Sequence, residues 1–175
     1  MVQLYDKLIS YKKDDFYPMH MPGHKRNTRI MHMDNPYSID FTEIEGFDNL
    51  HQPEGVLKEL AERISNLYGT VKSYPLVNGS TAGILAGISA ATKLGDSILV
   101  ARNCHKSVFH GIAIRGLKPI YCYPQIIKEF GINGGILAED IEKVLITNKE
   151  ITLVVITSPT YEGVVSDIRE IAETV

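Results

Sequence analysis

The sequence predicts an α/β fold, a mainly parallel sheet with flanking helices. Two observations carry this expectation. Short apolar runs bounded by turn residues (SYPLV, SILVA, KPIYCY, TLVVI) alternate with longer stretches whose apolar residues recur at helical spacing. One of these runs, TLVVI at 152–156, reads as a buried strand, and the strand–helix alternation implies a sheet covered by helices.

Each element follows from its own residues. Leu4, Leu8 and Ile9 mark one face of a short amphipathic helix over 2–12. From Phe16 to Pro53, prolines at 18, 22, 36 and 53 with Gly23, Gly46 and several Asp and Asn residues predict an extended, loop-rich lead-in. Val56, Leu57, Leu60, Ala61, Ile64, Leu67 and Tyr68 then form one face of a helix, closed by Gly69. Strands are expected at 73–77, 97–101, 118–123 and 152–156. The intervening helices are expected at about 81–92, 106–115 and 137–146, with SDIREIAETV as a last one. These boundaries divide the chain into a lead-in, 1–53, and the first part of an α/β domain, 54–175. The last helix carries no closing signal, so the expectation is a chain cut within a larger domain.

Composition narrows the function classes. The 175 residues are 44% hydrophobic and 22% charged, with a formal net charge of −3 and a pI near 6.1. This suits an ordinary folded domain and gives no overall attraction to polyanions. Lys25, Arg26 and Arg29 are a small basic cluster, so no nucleic-acid partner is expected. Two cysteines, Cys104 and Cys122, make neither a disulfide framework nor a zinc site. The first residues lack the apolar core of a signal peptide, and no run reaches the roughly 18 apolar residues of a membrane span. No membrane partner and a cytoplasmic location are therefore expected.

Five segments carry candidate chemistry. Asn78-Gly79-Ser80-Thr81 joins an expected strand to a helix rich in small residues. Glycine permits close backbone approach, and hydroxyls at a helix start either donate to an anion or cap the helix. Gly83, Gly87 and Ala91 recur every four residues, a face suited to tight packing against the sheet. The turn has neither the Gly-Lys-Ser/Thr of a P-loop nor a G-x-G-x-x-G fingerprint. Arg102-Asn103-Cys104-His105-Lys106-Ser107 follows the SILVA strand at the same expected edge. His105 is either a structural histidine or an imidazole for stacking, proton transfer or metal binding. Cys104 is discounted as a nucleophile because adjacent residues on such a turn rarely face each other.

His20 and His24 are four apart, but Pro22 and Gly23 break the helix that would pair them, so no metal is expected. The acids of segment 40–50 and the hydroxyls of Ser158-Pro159-Thr160-Tyr161 have plain readings as a solvated face and a β-turn.

Together the segments HMPGHK (20–25), DFTEIEGFDNLHQPEG (40–55), LVNGSTAG (76–83), RNCHKSVFHG (102–111) and VVITSPTYEGVVSDI (154–168) resemble the Orn/Lys/Arg decarboxylase family, class III. The resemblance implies the type I fold of pyridoxal phosphate enzymes, here an incomplete aspartate aminotransferase-like large domain. It implies pyridoxal 5′-phosphate as cofactor, a basic amino acid as substrate and a homo-oligomer for the full-length enzyme. Gly79, Ser80 and Thr81 match the phosphate cup, and His105 matches the histidine stacked on the pyridine ring. The family's pyridine-pairing aspartate and its Schiff-base lysine in Ser-x-His-Lys have no match, so no catalytic residue is assigned. Lys25 and Lys106 belong to other motifs. The resemblance therefore implies a segment supplying cofactor contacts and inactive alone. Two alternatives stay open: a piece of another type I enzyme, such as an aminotransferase or desulfurase, or a non-catalytic remnant that binds an intact subunit.

Overall fold

The computed structural model describes residues 4–13, 17, 19, 25, 27, 40 and 43–175. The chain separates into two compact units, Met1–Ser73 and Tyr74–Val175.

In the first unit, α1 (Leu4–Lys13) and α2 (Val56–Tyr68) are the helices among the described residues. Gly69 ends α2 at φ +65°, and its N–H reaches Ser65 O, a left-handed cap that glycine adopts without strain. The start of α2 is held from a distance. Gly55 offers no side chain, and the Asp48 carboxylate instead accepts the backbone N–H groups of Glu54, Gly55 and Leu57 at 2.8–3.1 Å, with that of Asn49 at 2.9 Å. These bonds lower the Asp48 pKa to about 2, the bond from Glu54 foremost. The solvated reading of this acid is thereby corrected: Asp48 is a helix cap.

The second unit contains α3 (Gly79–Ala91), β1 (Ser97–Ala101), α4 (Lys106–Arg115), β2 (Lys118–Cys122), β3 (Ile126–Ile127), β4 (Ile132–Asn133), α5 (Ala138–Thr147), β5 (Ile151–Val155) and α6 (Ile168–Thr174). Strands β2, β1 and β5 form a parallel sheet in that order, with Leu99 opposite Ile120 on one side and Val154 on the other. The central position of β1 explains its composition: Ile98, Leu99, Val100 and Ala101 are completely buried. Ile88, Val108, Ile112, Ile141 and Ile171 bring α3, α4, α5 and α6 onto the same core. Helix α4 closes on Gly116 at φ +57°, with Leu117 N–H bonded to Ile112 O and the Leu117 side chain buried.

Three expectations at and before α3 are corrected. Residues 73–77 form no strand: a strand exists through ladder partners, and Leu76 and Val77 are exposed instead. The small-residue helix packs chiefly on α4 rather than through its glycine face on the sheet. Ile88 is the buried residue of α3, lying against Gly111, while a Cβ at Gly87 would meet open space. Helix α3 also starts at Gly79, two residues before the expected 81. The antiparallel pair β3–β4 was not anticipated. His20 and His24 lie outside the described residues.

Candidate functional site

The carboxyl ends of the parallel strands share one edge, and the turn after β1 is stitched to both neighbours there. Arg102 N–H donates to Cys122 O at the end of β2. The Cys104 thiol lies 3.6 Å from Val155 O at the end of β5 and accepts from Thr157 Oγ1 at 3.4 Å. Cys104 is buried, and burial pushes its thiol pKa up. It thus faces the core while His105 beside it is exposed. Because the chain passes from β1 to β2 on one side and reaches β5 on the other, β1 is where strand order reverses, the place where open α/β sheets form a ligand crevice.

His105 is the N-cap of α4. Its Nδ1 accepts the backbone N–H of Ser107 at 3.2 Å and stands 2.9 Å from Ser107 Oγ. With Nδ1 as acceptor, the proton of the neutral ring sits on Nε2. Beside it, Asn103 Oδ1 is buried with no hydrogen-bond partner among the described residues. A buried orphan acceptor is uncommon, and a donor arriving at this edge would satisfy it. Arg102 turns outward over the rings of Phe109 and Tyr121, at 5.3 and 5.7 Å.

Gly79, Ser80 and Thr81 open α3. Gly79 stands at φ +75°, a conformation that strains any residue with a side chain. Asn78 caps no backbone N–H with its side chain, and no acid lies in the first turn. Ser80 and Thr81 are exposed, and neither hydroxyl has a partner among the described residues. The turn is therefore a set of donors without an acceptor, which suits a phosphate ester.

Two contacts fix where this turn lies relative to His105. Ile88 packs against Gly111, and four residues further along each helix Arg115 donates to Thr92 O. Equal spacing in the same sense means that α3 and α4 run parallel, so their first turns lie at the same end of the pair. By this register Lys106, the first residue of α4, falls level with Gly83, one turn into α3. The starts of α3, with Gly79, Ser80 and Thr81, and of α4, capped by His105, therefore lie toward the same end of the helix pair, although the strand expected to lead into the first is absent.

The hydroxyls after β5 are used internally. Ser158 Oγ accepts Ser166 N–H, and buried Thr160 accepts Val164 N–H. The β-turn reading of this segment is sufficient. Among the described residues no group of His, Cys, Asp or Glu is arranged to hold a metal ion, and no helix is long and apolar enough to cross a membrane. Ser107, which the candidate segment 102–107 included without a role, gains one only with the His105 ring in place.

A three-stranded parallel sheet with helices starting at its carboxyl edge defines part of an α/β domain. The family model for the Orn/Lys/Arg decarboxylase major domain matches residues 2–175, and the chain belongs to that family. YaaO, an uncharacterised protein of Bacillus subtilis (strain 168), is 38% identical over 96% of this chain. An arginine decarboxylase of Halalkalibacterium halodurans is 31% identical over 97% of it. The chain spans 36% of the length of either relative. The constitutive lysine decarboxylase of E. coli superposes with a TM-score of 0.69 at 24% identity, over 97% of this chain and 27% of its own. That likeness supports the fold, an incomplete large domain.

Proposed function

We propose that this chain is the N-terminal part of the large domain of a pyridoxal 5′-phosphate-dependent decarboxylase of a basic amino acid: lysine, arginine or ornithine. Gly79, Ser80 and Thr81 hold the cofactor phosphate, and His105 lies against the pyridine ring. The single observation that carries this reading is the parallel register of α3 and α4, which sets an unpartnered donor turn and an exposed imidazole at one end.

When bound, pyridoxal phosphate supplies an electron-withdrawing ring for the electron pair left as CO₂ departs. This chain's residues bind and orient. Gly79 lets the backbone approach the phosphate, the N–H groups opening α3 point at it, and the two hydroxyls add donors. His105, held through Nδ1, offers its ring face. The lysine and aspartate that complete family chemistry have no matching motif within these 175 residues, so the segment alone binds but does not turn over substrate. A lead-in at 1–53, a large-domain portion at 54–175, a homo-oligomer and a cytoplasmic location complete the proposal.

The test pairs this segment with a form extended to the length of its relatives, each given pyridoxal phosphate and lysine, arginine or ornithine. The extended form is expected to release CO₂ from one of them, and the segment none. Ser80→Ala or Thr81→Ala is expected to weaken cofactor binding by about tenfold, the loss of one hydrogen bond to a charged group. CO₂ release by the segment, or unchanged affinity in both variants, would refute the proposal.

A further inference from the structure

We infer that Ser107 is a positioning residue for His105, setting both the tautomer and the ring orientation that a planar ligand meets. An N-cap side chain acts by accepting a free N–H of the first turn, and His105 Nδ1 already does so for the Ser107 backbone. The serine hydroxyl adds something capping does not require. Ser107 is 1% exposed, and its Oγ lies 2.9 Å from the same nitrogen.

Two consequences follow from this geometry. A proton on Nδ1 would confront the backbone N–H at 3.2 Å, so the Ser107 backbone selects the Nε2–H tautomer, and in that tautomer the hydroxyl, which can donate or accept, donates to Nδ1 and adds to the preference. Rotating the ring away would leave the hydroxyl of buried Ser107 without this partner, a penalty that holds the ring by about tenfold in population. The exposed imidazole is therefore fixed from behind by a group that no ligand touches. This orientation stands independently of any cofactor; its use in stacking rests on the function proposed above.

The test reads the ring directly. In the ¹⁵N-labelled chain at about pH 8, where a histidine ring can be followed in its neutral form, long-range ¹⁵N–¹H correlations are expected to show His105 Nδ1 pyridine-like and Nε2 pyrrole-like. Ser107→Ala, which keeps the backbone donor, is expected to move both nitrogens toward the averaged shifts of a free histidine. Ser107→Cys, close in size with a weak donor, is expected to fall between and covers a failure of the alanine variant to fold. An averaged or inverted wild-type ring overturns the inference, as do folded variants indistinguishable from wild type.

A second arm titrates pyridoxal 5′-phosphate and, separately, inorganic phosphate. Ser107→Ala is expected to weaken the former by about three- to tenfold, one net hydrogen bond, and to leave the latter unchanged. Equal loss of both would make Ser107 a support of the helix start and overturn the positioning role. If wild type binds neither probe, the cofactor reading fails while the tautomer result is still decided by the spectra.

Discussion

Substituting Gly111 tests the contact that sets the α3–α4 register. A Cβ built there meets Ile88 Cδ1 at 2.9 Å, Cγ2 at 3.5 Å and Cβ at 3.6 Å. Only the first is too close, and Ile88 is 4% exposed, so its terminal methyl has little room to move. Gly111→Ala gains about 1 kcal/mol of helix propensity and loses about 1–3 kcal/mol to overpacking. The expected net effect is a destabilisation between about 0 and 2 kcal/mol. Ile88→Val removes the offending methyl at a cost of about 0.5–1.5 kcal/mol. In that background Gly111→Ala is expected to stabilise by nearly the full propensity gain, giving a coupling of about 1–3 kcal/mol in a double-mutant cycle. Urea denaturation followed by circular dichroism measures all four proteins. A stabilisation of about 1 kcal/mol by Gly111→Ala in both backgrounds would show that Ile88 does not face Gly111, and the shared end of the two helices would lose its basis.

Other perturbations probe separate parts of the chain. Gly79→Ala, forced to φ +75°, is expected to cost about 1–2 kcal/mol of stability by urea titration; a neutral result would refute the left-handed start of α3. Asp48 has a depressed folded pKa, so its stabilisation is complete above the ordinary value of 3.8 and is lost as pH falls toward about 2. Amide exchange in the first turn of α2 is expected to quicken across that window in wild type and to lose the dependence in Asp48→Asn. Burial raises the pKa of Cys104 and Cys122, so the unfolded chain ionises first as pH passes about 9, and the urea midpoint is expected to fall there. Cys104→Ser with Cys122→Ser should flatten that fall.

How much was legible depended on whether the signal was local. SILVA at 97–101, the helix at 56–68 and the helix at 106–115 have their expected bounds, because periodicity and a terminal glycine are written into adjacent residues. The strand at 73–77 failed because apolar β-prone residues do not supply ladder partners. Asp48 was missed as a cap because it reaches N–H groups six to nine residues onward, beyond the three-residue spacing of a capping box. His105 stood out as a residue type at a promising edge, but nothing in the sequence orients its ring. The signal for Ser107 was the hydroxyl two positions after a helix-opening histidine, and it gains meaning only once burial is known.

The central claim is that the first turns of α3 and α4 together receive one ligand. The most direct measurement is a crystal structure of the chain with pyridoxal 5′-phosphate. The account predicts the phosphate on the N–H groups and hydroxyls of Gly79, Ser80 and Thr81, with the ring face against His105. A phosphate bound elsewhere, or a ring lying away from His105, would contradict it.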